Sequence, residues 1–268
     1  MKNKKVAVVI PARYASTRFP GKPLVDIAGM TMIERVYKQA QKAKLVDEVL
    51  VATDDQRIFD KVRSFSGNVL MTRNDHPTGT DRLAEVAAVR PDVDIIVNVQ
   101  GDEPMIDPAT IDAAVQPLLA DDTMDMGTIC ARITDADEIN SNTIVKAVFD
   151  SKGKALYFSR LPIPYYRESD ANQKHFAHIG LYVYRRDVLL RLASLEPTPL
   201  EKAEALEQLR ALENGITISV VEVSRRSPAV DRPEDLEAVL DCVRQAEMAL
   251  PEQAPFIVAP GAVNTGVR

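Results

Sequence analysis

Short apolar runs rich in β-branched residues alternate with stretches of helical spacing along most of this chain. Continuous apolar runs, typical of strands buried on both faces, lie at 6–10, 48–52 and 94–99. Weaker strand patterns lie at 69–72, 127–133, 144–149, 179–184 and 216–223. Helical spacing of apolar residues is found at 32–43, 56–65, 81–89, 109–119, 187–195, 200–212 and 233–249. This alternation predicts an α/β fold whose mostly parallel sheet is flanked by helices.

Two segments depart from the alternation. Residues 157–173 carry prolines, two adjacent tyrosines and a polar run, so we predict a small surface excursion that serves as a dimerisation arm or a substrate lid. Residues 251–268 show no periodicity. We therefore predict a single domain over 1–250, followed by a C-terminal extension over 251–268.

Charge and composition narrow the classes of partner and compartment. The chain has 33 basic and 39 acidic residues, and a net charge of −6 argues against nucleic-acid binding. No run approaches the roughly 18 apolar residues of a membrane span, so we expect no membrane partner. The two cysteines, Cys130 and Cys242, form no CxxC motif, which fits a reducing cytoplasm.

The loop after the first predicted strand is rich in cations. Arg13, Arg18 and Lys22 lie close together there, with Gly21 and two hydroxyl side chains. Ligands of open α/β sheets bind beyond the carboxyl ends of strands, so this loop predicts a polyphosphate site. It is no P-loop, because serine and proline stand where GxxxxGK[ST] needs glycine and a hydroxyl residue. A solvated basic loop is the alternative.

Two aspartates are candidate metal ligands. Asp102 comes directly after the strand predicted at 94–99, and Mg²⁺ takes one or two carboxylates together with substrate phosphate. An acidic turn before the next helix is the alternative interpretation. Asp231 is the second candidate, although a capping box with Glu234 three residues later would explain it equally well.

A third polar stretch, residues 76–82, precedes a predicted helix. Gly79 and Thr80 place backbone N–H groups and a hydroxyl at the helix start, which suits a base or a phosphate. Plain capping of the helix by Thr80 is the alternative.

A last group of polar residues suits a polyol, with an arginine that can pair with a carboxylate. Taken singly, its members can also be ordinary surface or core-edge residues, and the HxxH spacing within it is a weak metal signal. The group consists of Arg160, His178, Tyr182, Glu207 and Gln208.

Eight segments, in order, resemble the 3-deoxy-manno-octulosonate cytidylyltransferase family over about residues 5–245. They are IPARYASTRFPGKPL (10–24), ATDD (52–55), MTRNDHPTGTDR (71–82), NVQGDEP (98–104), ALYFSRLPIPY (155–165), HIGLYVYR (178–185), LEQLRALENG (206–215) and VDRPEDLE (230–237). The first, fourth and sixth of these are the most specific to that family.

The resemblance implies a nucleotide-diphospho-sugar transferase (Rossmann-like) fold, dependence on Mg²⁺ and a homodimer. It implies transfer of CMP from CTP to the anomeric hydroxyl of 3-deoxy-D-manno-octulosonate (Kdo). The products would be pyrophosphate and CMP-Kdo, the latter for lipopolysaccharide or capsule synthesis. The alternatives are a cytidylyltransferase for a related acid, such as 8-amino-Kdo or a sialic acid, and a non-catalytic nucleotide-binding module. A dinucleotide dehydrogenase is disfavoured because GxGxxG is absent.

The same resemblance implies a role for each candidate residue. It implies that CTP phosphates lie on Arg13, Arg18 and Lys22, and the cytidine near Ala12, Gly79 and Thr80. Asp102 and Asp231 would bind Mg²⁺, and together with Arg13 and Lys22 they would be the catalytic residues. The sugar acid would lie among Arg160, His178, Tyr182, Glu207 and Gln208, with Arg160 on its carboxylate.

Overall fold

A mixed sheet forms the centre of the structure, a computed structural model that describes residues 4–15, 18–168 and 173–248. Within those ranges the strand order is β11-β7-β10-β6-β1-β4-β5, and β8 and β9 extend the sheet beside β10. A separate hairpin pairs β2 with β3. The strands are β1 (Val6–Ala12), β2 (Asp26–Ile27), β3 (Met30–Thr31), β4 (Glu48–Thr53), β5 (Asn68–Met71), β6 (Ile95–Asn98), β7 (Met126–Ile133), β8 (Lys146–Phe149), β9 (Ala155–Ser159), β10 (His175–Arg185) and β11 (Ile218–Val223).

Helices cover both faces of this sheet. Side chains of β1 alternate between two cores: Val6, Val8 and Ile10 face one, and Ala7 and Val9 face the other. Helices α1, α2 and α4 cover the first core, while α3, α6 and α8 cover the second. The helices are α1 (Met32–Ala40), α2 (Gln56–Ser64), α3 (Gly79–Val89), α4 (Pro108–Ala120), α5 (Ala136–Asn140), α6 (Arg186–Ala193), α7 (Pro199–Glu204), α8 (Gln208–Glu213) and α9 (Asp235–Met248).

A third, smaller core fixes the chain that enters α9. Val239 and Val243 of α9 pack with Ile27, Met32 and Val230. These contacts hold the segment before α9 beside a short 3-10 helix, Lys22–Leu24, which begins at the last cation of the basic loop. Asp231 is thereby brought close to a part of the chain more than two hundred residues away in sequence.

The alternation predicted from the sequence is confirmed, with several differences in detail that include the unpredicted β2–β3 hairpin. Residues 157–159 belong to β9, which pairs antiparallel with β8, so the excursion begins only after that strand. The helix predicted at 200–212 is two helices, because Ala205 ends α7 in the left-handed region with φ +51°. Helix α5 was not predicted. The proposed extension at 251–268 and part of the excursion, 169–172, lie outside the described residues.

The strand directions determine where a site can form. Six of the seven strands in the main order point the same way, and β10 runs against them between β7 and β6. The carboxyl ends of β1, β4 and β6 therefore meet at one edge, where ligands of such sheets bind. Tyr182 of β10 lies opposite Asn98, the last residue of β6. In the described part of the chain, every helix is too short or too polar to cross a membrane.

Candidate nucleotide and acceptor site

The predicted phosphate loop borders a cavity of about 330 Å³ at the carboxyl edge of the sheet. Backbone from the ends of β1 and β6 forms its floor, and the cations of the loop form its wall. Gly101 allows a close approach here, because a Cβ would lie 3.1 Å from the Pro11 carbonyl oxygen, which is tighter than an ordinary van der Waals contact. The cavity is lined by Pro11, Ala12, Arg13, Ala15, Arg18, Lys22, Pro23, Gln100, Gly101 and Asp102.

The two predicted metal ligands converge on one ammonium group. Lys22 Nζ lies 2.8 Å from Asp102 Oδ2 and 3.9 Å from Asp231 Oδ1, and Arg18 forms an ion pair with the other Asp231 oxygen. The backbone N–H of Val230 donates to the Asp102 carbonyl oxygen at 2.9 Å, which ties the two loops together. Carboxylates 129 positions apart in sequence thus face a common point.

This arrangement fits a hard divalent cation. The Lys22 ammonium occupies the place that a cation bound by both carboxylates would take. Among the described residues, no group of three or more His, Cys, Asp or Glu side chains is arranged to hold a metal. Mg²⁺ nevertheless needs only one or two carboxylates when substrate phosphate and water complete its shell.

The helix-capping alternatives for Asp231 and Thr80 are both wrong. Helix α9 begins at Asp235, whose Oδ2 accepts hydrogen bonds from the N–H groups of Asp231 and Arg232 at 2.8 and 2.7 Å. The carboxylate of Asp231 instead faces the cations. At α3 the N-cap is Thr78, which forms a capping box with Asp81, and the side chain of Thr80 is buried.

Two hydrogen bonds connect the start of α3, where the cytidine is expected, to the phosphate loop and to Glu207. Arg13 Nη2 donates to the Thr78 carbonyl oxygen at 2.9 Å, so the phosphate loop is attached to the start of α3 beside Gly79. The Thr80 hydroxyl donates to Glu207 Oε2 at 2.7 Å. Burial raises the pKa of the Glu207 carboxyl.

The predicted acceptor residues His178, Tyr182 and Gln208 form one contiguous cluster. The His178 and Tyr182 rings are 5.4 Å apart, and the Tyr182 hydroxyl donates to Gln208 Oε1 at 3.1 Å. His178 Nε2 lies 2.9 Å from Thr128 Oγ1, which also lies 2.8 Å from the Leu181 carbonyl oxygen. Because the Thr128 hydroxyl has one proton and the carbonyl requires it, we assign the proton on Nε2 to a neutral His178. Burial lowers the pKa of His178 to about 4, which keeps the ring neutral, and the tautomer rests on the Thr128 bonds alone.

Arg160, directly after β9, is held from several directions. Its Nε donates to the Glu204 carbonyl oxygen at 2.7 Å, and its Nη1 and Nη2 donate to those of Asn142 and Ala205 at 3.1 and 3.3 Å. These bonds connect the end of β9 to the turn between α7 and α8, just before Glu207. In the described chain, the side-chain bonds of Arg160 go to backbone carbonyl oxygens, unlike those of an arginine paired with a surface carboxylate.

Neither Gln100 nor Glu103 was assigned to the site from the sequence, and of the two only Gln100 lines the cavity. Gln100 lines the cavity, and its Nε2 donates to the Gly180 carbonyl oxygen at 3.2 Å, which connects the cavity floor to a bulge in β10. Burial, with a smaller contribution from the Asp102 charge, raises the pKa of Glu103 to about 7. Both residues lie in the NVQGDEP segment, but the sequence does not show in which direction a side chain points after a strand has ended.

Comparisons with known proteins show which family the chain belongs to. A model of the cytidylyltransferase family matches residues 7–218. The 3-deoxy-manno-octulosonate cytidylyltransferase of Geobacter metallireducens is 55% identical over 247 residues, which are 88% of this chain and 97% of that protein. The one from Syntrophotalea carbinolica is 57% identical over 242 residues, covering 87% and 96%.

Solved structures extend the comparison to the fold. The structure of CMP:2-keto-3-deoxy-manno-octonic acid synthetase complexed with CTP matches at 45% identity with a TM-score of 0.87, covering 91% of this chain and 100% of that one. The 4-diphosphocytidyl-2C-methyl-D-erythritolsynthase of Anaerococcus prevotii shares the fold alone, at 13% identity and a TM-score of 0.60, with 90% and 97% covered. The resemblance noted in the sequence is confirmed, and the chain belongs to the 3-deoxy-manno-octulosonate cytidylyltransferase family.

Proposed function

We propose that the protein transfers CMP from CTP to the anomeric hydroxyl of Kdo and releases pyrophosphate. The observation that carries this proposal is the convergence of a cation-lined cavity with a carboxylate pair, adjacent to a polar acceptor cluster. The relatives named above bear the name of this activity, and one of them is complexed with CTP. Strand β10, antiparallel beside β6, is what brings the acceptor cluster up to the nucleotide cavity.

The chain's own cations address the main obstacle to this reaction, the repulsion between a triphosphate and an anionic sugar acid. Arg13, Arg18 and Lys22 line the same cavity, where they would neutralise the phosphates and stabilise the departing pyrophosphate. Positioning supplies much of the remaining acceleration in phosphoryl-transfer chemistry. No histidine base is needed, and His178 is uncharged at neutral pH because of its low pKa.

Mg²⁺ would be held by Asp102 and Asp231. When bound there, the metal would neutralise phosphate charge and increase the acidity of the attacking hydroxyl. The support for this assignment is that both carboxylates already share one cationic partner, Lys22.

Unused hydrogen-bonding capacity supports an acceptor site at the polar cluster. Within the described chain, Gln208 Nε2 is buried without a hydrogen-bond partner, which is costly unless a ligand accepts from it. The His178 tautomer assigned above leaves Nδ1 free to accept from a sugar hydroxyl. Arg160 carries a second N–H on each terminal nitrogen, suited to a carboxylate.

We also propose a homodimer formed through the excursion. Its side chains Leu161 and Tyr165 are 68% and 88% exposed, which is unfavourable for apolar groups unless a partner covers them. Light scattering of the purified protein should give the mass of two chains, and a Leu161→Asp, Tyr165→Asp variant should give the mass of one.

Pyrophosphate release tests the activity directly. The assay compares the four nucleoside triphosphates, with Kdo or N-acetylneuraminate as the acceptor, with and without Mg²⁺. We expect release only with CTP, Kdo and Mg²⁺ together. Equal release with N-acetylneuraminate would assign the enzyme to a related sugar acid, and CTP binding without release would indicate a non-catalytic module.

A further inference from the structure

The phosphate loop is fastened at its base by a stack of three groups. The Tyr14 ring lies against Gly21, where an added Cβ would come within 3.1 Å of Tyr14 Cζ, and Gly21 has φ +72°. The Gly21 N–H donates to the Tyr14 carbonyl oxygen at 2.9 Å, which closes the loop that carries Arg18. The Tyr14 ring also contacts Arg57, whose Cζ lies 3.3 Å from the centre of the ring.

The guanidinium of Arg57 is itself fixed in orientation. Its Nε and Nη2 donate to the two carboxylate oxygens of Asp55 at 2.9 and 2.6 Å. Asp55 is also the N-cap of α2, since its Oδ1 accepts from the Arg57 backbone N–H at 2.9 Å. The second aspartate of the ATDD segment, which the assigned site does not use, therefore holds Arg57 flat over the tyrosine.

We propose that Tyr14 and Arg57 form a clamp that positions the phosphate loop for the triphosphate, with Arg57 acting only through Tyr14. This inference rests on the proposed function, because the loop's ligand is the triphosphate of CTP. Arg57 is a positioning residue rather than a catalytic one: its guanidinium is engaged by Asp55 and the ring. Its side chain is 58% exposed, so as a surface ion pair alone it would contribute little.

The chemistry of the stack predicts a graded response to substitution. A flat, bidentate guanidinium over an aromatic face cannot be reproduced by a lysine ammonium. Arg57→Ala should weaken CTP binding by about two- to fivefold, the size expected for a lost cation–π contact of this exposure. Arg57→Lys should lose nearly as much, and Tyr14→Phe, which keeps the ring, should lose less than Tyr14→Leu.

The first experiment measures the dissociation constant of CTP by calorimetry and the steady-state constants for both substrates. Arg63→Ala is the matched control, because Arg63 is an exposed arginine on the same helix and its loss changes the net charge equally. We expect Arg57→Ala to raise the CTP constants while the Kdo KM and the melting temperature stay near those of Arg63→Ala. Equal CTP constants in the two variants would overturn the proposal.

A double-mutant cycle separates positioning from direct contact with phosphate. If Arg57 acts through Tyr14, Arg57→Ala should cause no further loss in a Tyr14→Leu background. If the two losses add, Arg57 touches the triphosphate itself or acts as a distant charge, and the clamp is wrong.

Limited trypsin digestion measures how accessible the phosphate loop is to cleavage, and this measurement does not rely on the proposed function. Each arginine variant removes one cleavage site on α2, so their digests are directly comparable. We expect faster cleavage after Arg18 in Arg57→Ala than in Arg63→Ala. Unchanged cleavage would overturn the clamp, whereas a wild-type protein that fails to bind CTP would overturn the proposed function and leave this loop measurement standing.

Discussion

At the scale of single residues, two neighbouring aspartates serve different purposes. Asp235, the first residue of α9, holds the backbone N–H groups of the turn before the helix, while Asp231 faces Lys22 and Arg18. Asp235→Ala should therefore lower the melting temperature, because the two N–H groups lose the carboxylate that accepts from them. Asp231→Ser should melt near the wild-type temperature and lose turnover by orders of magnitude, because a hydroxyl is a poor ligand for Mg²⁺.

Thermal melting and pyrophosphate release of the two variants test this division. A stable Asp231→Ser protein with full activity would mean that Asp231 neither binds metal nor assists the reaction. A strongly destabilised Asp231→Ser protein would restore the structural role that the geometry gives to Asp235.

His178 makes a prediction about stability against pH. Its pKa is lowered from 6.5 to about 4 by burial, so between these values the unfolded chain binds a proton that the folded protein does not. Stability is therefore lost as pH falls through this window, and no contribution is lost above pH 6.5. In His178→Gln, whose amide can still bond to Thr128, unfolding free energy should fall less steeply with acid, by about 1.4 kcal/mol per pH unit.

Urea unfolding of both proteins at several pH values between 4 and 6.5 gives the two slopes. The carboxylates that titrate in this range are common to both proteins and cancel in the difference. Parallel curves would show that the folded His178 titrates normally and is solvated.

At the scale of elements, regular periodicity was predictable and its interruptions were not. The buried strands β1, β4 and β6 are continuous apolar runs, and the helices on their faces have regular spacing. The last three residues of β9 were assigned to the excursion, because Pro162 and Pro164 shortly after the strand hid its pairing with β8. The break at Ala205 could not be predicted from the sequence, since alanine is a good helix former and only the tertiary structure places it at positive φ.

The break at Ala205 matters because Arg160 donates hydrogen bonds to the turn that the break creates. Arg160 bonds to three carbonyl oxygens from two segments, and only a guanidinium can donate in so many directions within one plane. Arg160→Lys should bind CTP normally and lose most of its kcat/KM for Kdo. Calorimetry with CTP beside steady-state kinetics in Kdo tests this, with Arg132→Lys, an exposed arginine on β7, as the control.

A fall in CTP affinity with unchanged Kdo kinetics would contradict the division of the site into nucleotide and acceptor halves. The sequence alone suggested a carboxylate partner for Arg160. It could not show the carbonyl bonds, since backbone partners carry no sequence signature.

At the scale of the whole molecule, the site is assembled from segments that only the tertiary fold brings together. The strand-end rule predicted that the loops after β1 and β6 would meet. It did not predict that the antiparallel strand β10 would bring the acceptor residues beside β6, or that the small core around Val230 would bring Asp231 to Lys22. Such placements depend on packing between distant segments, which local periodicity does not encode.

The ion pairs within the site couple the binding of its two proposed ligands, CTP and Mg²⁺. Lys22 pairs with Asp102, and Arg18 pairs with Asp231. A triphosphate that draws these cations to itself leaves two carboxylates unpaired beside an anion, which is unfavourable in a partly buried site. A divalent cation between the carboxylates removes that cost, so CTP and Mg²⁺ should each strengthen the binding of the other.

We therefore expect the dissociation constant of CTP to fall by about tenfold or more when saturating Mg²⁺ replaces EDTA, equivalent to about 1.4 kcal/mol of coupling. Asp102→Asn should lose most of this coupling, because its amide needs no counter-charge when Lys22 turns to phosphate. Asp122→Asn, a change of the same charge at a side chain that is 83% exposed, should keep it. Calorimetry of the three proteins in both buffers measures the effect. If CTP bound equally well with and without Mg²⁺, or if Asp102→Asn kept the full difference, the carboxylate pair would not be the site where metal and nucleotide meet.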